Sequence, residues 1–334
     1  MVARLIRRPW SVRMRMLMLV PFIVGSAGAP AIAQSTDYPT KSIRLINPFP
    51  AGGTGDVVAR VVFDKVGAAL GVPVIVEART GAAGVVGTEF VARAPSDGST
   101  LIIGTASTFG ALSSTRKNLP YDAIRDFEPV VMMAKLPYLL LVNPSVPAKS
   151  FPEFVAYVKA NPGKMNYSSF GNGSSNHLAY ELLRHITGID LVHVPYRGGA
   201  PAILALMAGD VQSSLDLYTT SIQHIQEGKM KVLGVASLQR SSLLPDVPTL
   251  AEQGVPLDAG TFLAVLGPTG LPTDVVNRLN AEVNKALKMP DVRKRLTAAG
   301  TEVVGGTPQE LSADIKAEVG KWARLVRERG LTFD

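Results

Sequence analysis

The sequence predicts an α/β protein made of two lobes of sheet with flanking helices, joined by two chain connections that leave a cleft between them. Three observations carry this. Short apolar runs rich in Val, Ile and Leu alternate with amphipathic helical patterns along most of the chain, the signature of parallel strands covered on both faces. The alternation fails over Glu128–Pro144, where two apolar runs adjoin around Lys135-Leu136-Pro137 with no helix between them. A second irregular stretch, Ser237–Leu257, carries Pro245, Pro248 and Pro256 amid polar turns. A chain that leaves one lobe at the first break and returns at the second makes a hinge with a crevice. The expected lobes are therefore 37–136 with 256–334, and 137–255.

The elements follow in order. Residues 1–33 hold five arginines (Arg4, Arg7, Arg8, Arg13, Arg15) and no acid, then the apolar run 16–24 and the small-x-small triplet Ala31-Ile32-Ala33. This is the pattern of a secretory signal cleaved near Ala33/Gln34, and the apolar run is too short to span a membrane. The mature protein is expected in the periplasm. Strands are expected at Ser42–Phe49, Val72–Val76, Thr100–Gly104, Pro129–Ala134, Tyr138–Val142, Lys164–Ser168, Leu191–Pro195, Val211–Leu217, Met230–Ala236 and Phe262–Leu266. Helices are expected at Asp56–Leu70, Phe151–Ala160, Asn176–Thr187, Ala200–Ala208 and Ile222–Gln226. The last segment is helical, at Thr273–Leu287, Pro290–Ala299 and Pro308–Arg329, with little strand between.

Composition excludes several classes. With 46% hydrophobic and 18% charged residues the chain is an ordinary globular one. The 34 basic and 27 acidic residues leave 29 against 27 once the leader's five arginines are set aside, so the net charge gives no argument for nucleic acid. The absence of cysteine removes disulfides, thiolate metal sites and a thiol nucleophile. No Gly-Lys-Ser/Thr occurs, and Gly53-x-Gly55-x-x-Val58 lacks the third glycine of the dinucleotide fingerprint, so no nucleotide cofactor is expected. The four histidines, His177, His185, His193 and His224, show no metal-binding pair spacing, and no metal is expected.

Three glycine-rich loops carry the chemistry. Asn47–Asp56 joins a buried strand to a helix, and its Phe49, Ala51, Gly52 and Gly53 offer backbone amides at the positive end of a helix dipole, suited to a carboxylate or phosphate. Asp56 is the expected N-cap. Ser168–His177 supplies hydroxyl, amide and backbone donors, notably from Ser169, Asn172 and Ser174. Val194–Pro201 repeats the arrangement with Tyr196 and Arg197, the latter either a carboxylate contact or a salt-bridge partner. Tyr196 and Phe49 either wall a pocket or fill core. Asp216, ending an apolar strand, either accepts from a ligand or caps the strand, and Thr105 follows the Thr100–Gly104 strand. Ser174, His177 and Asp216 include the types of a catalytic triad, but no Gly-x-Ser-x-Gly elbow is present. A secreted serine-dependent hydrolase remains the alternative.

These segments resemble the Bug-type, or tripartite tricarboxylate receptor, periplasmic solute-binding proteins. The resemblance runs through Leu45–Gly53, Asp56–Arg60, Gly171–Ser174 with His177-Leu178-Ala179, Val194–Pro201 and Leu244–Thr249. It implies a type II periplasmic-binding-protein fold without catalysis. It also implies two lobes closing on a small organic carboxylate, for which the expected contacts in this sequence are Phe49, Ala51, Gly52, Gly53, Thr105, Ser169, Asn172, Ser174, Tyr196 and Asp216. Delivery to a membrane transporter, or to a sensor kinase, follows from the same resemblance, and the protein is expected to be a monomer. Glu77–Gly81 departs from the family pattern around Arg79, and Gly260–Leu263 stands where a tryptophan is common, which leaves ligand identity open.

Overall fold

The computed structural model describes residues 38–333; the predicted leader and its cleavage position lie outside the described residues. The chain begins β1 (Ile43–Asn47), α1 (Thr54–Leu70), β2 (Val74–Ala78), α2 (Val85–Ala92) and β3 (Thr100–Gly104), then makes a π-helical turn at Ser107–Ala111 that runs into α3 (Leu112–Thr115). There follow β4 (Phe127–Val142), α4 (Phe151–Ala160), β5 (Asn166–Ser169), α5 (Ser175–Thr187), β6 (Val192–Pro195) and α6 (Gly199–Ala208). Then come β7 (Ser213–Leu217), α7 (Tyr218–Gln226), β8 (Lys231–Val235), β9 (Gly260–Pro268), α8 (Thr273–Lys288), α9 (Pro290–Ala298), β10 (Glu302–Gly305) and α10 (Pro308–Arg329).

The strands form two half-sheets that share β4. The order is β2-β1-β3-β9-β4 on one side and β4-β7-β5-β6 on the other, with β10 and β8 also paired to β4. The 16-residue β4 pairs with β9 as far as Pro137, opposite Gly260, and with β7 from Tyr138, opposite Leu217. The two strands expected at Pro129–Ala134 and Tyr138–Val142 are thus one. Pro137 removes a single donor, and the ladder resumes at once with the Tyr138 amide donating to the Ala259 carbonyl. The parallel sheets expected from the alternation are mixed. Pairs β1–β2, β1–β3, β5–β6 and β5–β7 are parallel, whereas β9 returns antiparallel between β3 and β4.

Each half-sheet is covered on both faces, and the strand period of two divides the side chains between them. In the first lobe Ile43 and Leu45 of β1 pack with Val58, Val62 and Leu279 of α1 and α8, while Ile46 turns to Phe109, Tyr121 and Ile315 on the opposite face. In the second lobe Tyr138 and Leu140 of β4 join Phe154 and Tyr180, while Leu139 and Leu141 join Ile203 and Leu206 of α6. The return segment 237–257 packs into this second core through Leu250, Val255 and Leu257.

The C-terminal helix departs from the expected assignment to the first lobe alone. Leu311 and Ile315 lie in the first lobe's core, but Trp322 and Leu325 lie in the second's. At 22 residues α10 is long enough to touch both, since a helix advances about 1.5 Å per residue. The elements that went unforeseen include α2, whose run Val85–Ala92 lacks a polar face; the π turn and the four-residue α3 that it enters; and the four-residue β10.

Candidate functional site

Five loops leave the C-terminal ends of the parallel strands and start helical turns, the position where open α/β sheets carry their ligand crevices. In the first lobe these are the loops after β1 and β3; in the second, those after β5, β6 and β7. Helices α1, α5, α6 and α7 start after Gly53, Ser174, Gly198 and Leu217, and none of these residues caps its helix through a side chain. Their first amides lack partners within the helix, although that of Ser175 donates to Ser107 Oγ at 3.4 Å, and the dipole makes each end attractive to an anion.

Cross-lobe contacts join α1 to α7 and the π turn to the head of α5. Thr54, first residue of α1, donates its hydroxyl to the Thr219 hydroxyl of α7 at 3.1 Å. Ser107 of the π turn lies 3.0 Å, hydroxyl to hydroxyl, from Ser175 at the head of α5, and Ser175 is 2.7 Å from the Tyr138 hydroxyl. Thr115 donates to the Gly173 carbonyl at 3.2 Å.

The first loop is arranged differently from the expectation. Gly53, not Asp56, occupies the cap position of α1. Asp56 lies one turn in and reaches back to accept the Gly52 amide at 3.1 Å, while Arg60 grips both its oxygens and holds its carboxyl below the usual range. The correction matters for ligands, because the Gly52 amide is consumed and the Phe49 amide donates to Asn47 Oδ1 at 3.2 Å. The amides of Ala51, Gly53, Thr54 and Gly55 have no acceptor among the described residues. Phe49 itself turns toward Gly84, where an added Cβ would touch its ring at 3.3 Å.

The loop after β5 rests on a buried aromatic stack. The rings of His177 and His193 stack 3.7 Å apart, His193 stacks on Tyr167, and Tyr167 on Tyr180. Burial keeps both imidazoles neutral, His177 pushed down to about 3 and His193 to about 4. His177 Nδ1 accepts the Gly173 amide at 3.1 Å, and Ser169 Oγ is 2.6 Å from His193 Nε2 while also within bonding distance of Gly171. The Ser169 hydroxyl is therefore occupied beneath the loop and shapes it, in place of the free donor expected. Ser174 Oγ likewise lies 2.7 Å from the Gly171 carbonyl and 2.8 Å from Asn176 Oδ1, with no bond to His177. Among the described residues Ser174, His177 and Asp216 form no catalytic relay.

The family model described as tripartite tricarboxylate transporter family receptor matches residues 58–331. The chain belongs to this family. A UPF0065 protein from the tcbD-tcbE intergenic region of Pseudomonas sp. (strain P51) is 40% identical over 300 residues, covering 89% of each chain. Rpa4515 of R. palustris, solved with adipate, superposes with a TM-score of 0.81 at 32% identity, over 88% of this chain and 99% of that one. MatC from Rhodopseudomonas palustris, solved with bound malate, gives 0.77 at 34% identity, over 86% and 100%. These neighbours share the two-lobed α/β periplasmic-binding-protein fold expected from the sequence.

In this receptor the remaining expected residues divide. Asn172 is exposed at the tip of its loop, and Tyr196, half-buried, packs on the α6 side of the second lobe. Arg197 is exposed with no ion pair among the described residues. Thr105 is buried, its hydroxyl 3.2 Å from that of Thr108, and so braces the π turn. Asp216 is fully buried at the end of β7. Ser107, Ser175, Thr219 and Thr261, whose hydroxyl accepts the Ala106 amide at 3.4 Å, are polar groups at the contacts between the lobes that sequence reasoning missed. The run Thr105-Ala106-Ser107-Thr108 directly after a fully buried strand was the available signal. Among the described residues no cluster of His, Asp and Glu could hold a metal, and no helix is long and apolar enough to cross a membrane.

Proposed function

We propose that this receptor closes on a small organic carboxylate in the periplasm and delivers it to the membrane components of a tripartite tricarboxylate-type transporter. The reading rests on one observation above the others: helix starts without side-chain caps occur in both lobes, and those of α1 and α7 touch each other. Orphan amides at dipole ends attract an anion without the fixed cation that would demand a particular charge count. The relatives solved with adipate and malate, both dicarboxylates, support the same class.

On this reading Ala51 and Gly53 serve the ligand from the first lobe, with Phe49 and Gly52 shaping their loop. Asn172, Tyr196 and Asp216 serve it from the second, with Ser169 and Ser174 as supports there and Thr105 as a support in the first lobe. The hinge lies where β4 passes Pro137 and where the chain returns at Gly260. Ligand and transporter act on the equilibrium between open and closed forms, so the ligand must contact the closed form better.

Calorimetry and thermal shift across mono-, di- and aromatic carboxylates, with small-angle scattering for closure, test this. At least one dicarboxylate is expected to raise the melting temperature and reduce the radius of gyration. Binding of none, together with turnover of an ester or amide, defeats the proposal in favour of a hydrolase.

A further inference from the structure

The faces of β5 and β7 differ in a way that no carboxylate clamp requires. Tyr167 and Ser169 of β5 and Ser213 of β7 face α5, and there every hydroxyl is partnered: Tyr167 with Glu181, Ser169 with His193, Ser213 with Tyr180. Ser168, Ser214 and Asp216 face the other way, toward α6. Ser168 and Ser214 are direct register partners, and Asp216 lies two residues further along the same strand face. In this row Ser168 Oγ, Ser214 Oγ and Asp216 Oδ2 are all buried and all without a hydrogen-bond partner. Native interiors rarely leave such atoms unsatisfied, and here three fall in one row of one strand face.

Asp216 is the member of the row nearest the crevice. Its Oδ1 accepts the Leu217 amide and the Thr220 hydroxyl, both at 2.7 Å, and lies 3.8 Å from where a Cβ on Gly199 would stand, below the start of α6. No cation answers its charge. Helix α6 contains no charged residue, and α7 has only His224, in its last turn. The titratable groups of α5 (His177, Tyr180, Glu181, Arg184 and His185) lie on the helix that covers the opposite face, and β4 presents Leu139 opposite Asp216, with Tyr138 the titratable group that senses its charge. Burial pushes the carboxyl up to about 7, outweighing the Thr220 hydroxyl and the Leu217 amide, which favour the ionised form. A buried carboxylate with a bare oxygen is costly, and more so beside an anion in a closed crevice.

We infer that Asp216 is a specificity-determining residue of the crevice and that capture of a carboxylate is coupled to uptake of one proton on its Oδ2. The proton comes from solvent, and the Oδ2–H group then donates to a ligand oxygen, with no other bond made or broken. This deepens the carboxylate reading and rests on it. A neutral Asp216 admits an acid, whereas an ionised one calls for a ligand amine, so the protonation state selects the ligand class.

Adipate and malate are the probes. Calorimetric titration from pH 6 to 8.5, in buffers of different ionisation enthalpy, is expected to show net uptake approaching one proton and affinity falling toward tenfold per pH unit above pH 7. The buffer comparison needs no variant. Asp216→Asn, which cannot ionise, is expected to bind with affinity flat over the range. Without ligand, the wild type is expected to lose stability relative to Asp216→Asn as pH rises from 5 to 8. Affinity unchanged or rising with pH, or parallel stability curves while an acid still binds, overturns the proton coupling alone. Failure of every acid of the carboxylate panel to bind at pH 6 overturns the carboxylate reading and the coupling together.

Discussion

Thr54 and Thr219 are 165 residues apart in sequence and joined by a 3.1 Å hydrogen bond, the first residue of one helix donating to the second residue of another across the crevice. Such a contact exists only while the lobes are together, so it favours the closed form before any ligand arrives. A net hydrogen bond of this kind contributes about 1 kcal/mol, or roughly fivefold in an equilibrium. Thr54→Val keeps the side-chain shape and removes the donor. We expect its ligand affinity to fall roughly fivefold, with a larger radius of gyration in the ligand-free protein by small-angle scattering. An unchanged radius removes this pair from the closing equilibrium.

The stacked histidines set an acid limit. Their folded-state values, about 3 for His177 and about 4 for His193, lie below the ordinary 6.5. The unfolded chain therefore takes up protons first, and the stability they contribute is complete above pH 6.5 and is lost as pH falls toward 4 and then 3. At pH 5 the loss from His177 is about 2 kcal/mol. His193 adds less, since it keeps more contact with solvent. Urea unfolding from pH 4 to 8 should show this slope, and His177→Phe, which cannot protonate, should flatten it.

Gly260 stands where β4 passes between half-sheets. A Cβ there would run into the Leu136 carbonyl and approach Pro137 Cα to 2.9 Å, backbone that cannot swing aside. Gly260→Ala should cost about 1–3 kcal/mol by overpacking. It should also alter ligand affinity, because the displaced strands carry the hinge; denaturant midpoint and calorimetry read the two effects separately.

Much of the fold was legible where one period dominated. Phe151–Ala160 and Pro308–Arg329 carry uninterrupted helical patterns with Pro in the first turn, and Thr100–Gly104 centres on the apolar run Leu101-Ile102-Ile103. What escaped depended on tertiary partners. Pro137 reads as a break, yet β4 runs through it because Gly260 opposite lets the backbones approach. Asp56 has the composition of a cap, but the cap position fell to Gly53 because Asp56 reaches back one turn to Gly52. Ser168 and Ser169 are neighbours in sequence and alike in type. Only the pleat, which sends one to α6 and the other to His193, separates an orphan hydroxyl from a satisfied one.

The neighbours Gly52 and Gly53 separate support from contact. Gly52 has φ +82, a left-handed conformation that a side chain resists, and its amide is bound to Asp56. Gly52→Ala should therefore cost about 1–2 kcal/mol in stability, and it should weaken binding only through the loop's shape. Gly53 has φ −73, accessible to any residue, and a Cβ there meets only the Pro50 carbonyl at an ordinary 3.5 Å. Gly53→Phe should leave the unfolding midpoint nearly unchanged while its ring fills the space before the α1 amides, reducing adipate or malate affinity at least a hundredfold, about 2.7 kcal/mol. Calorimetry and chemical denaturation on the two variants give opposite rankings if this is right. A Gly53→Phe protein that binds as tightly as the wild type places the ligand away from the first loop, and the carboxylate would then have to be held by the helix starts of the second lobe.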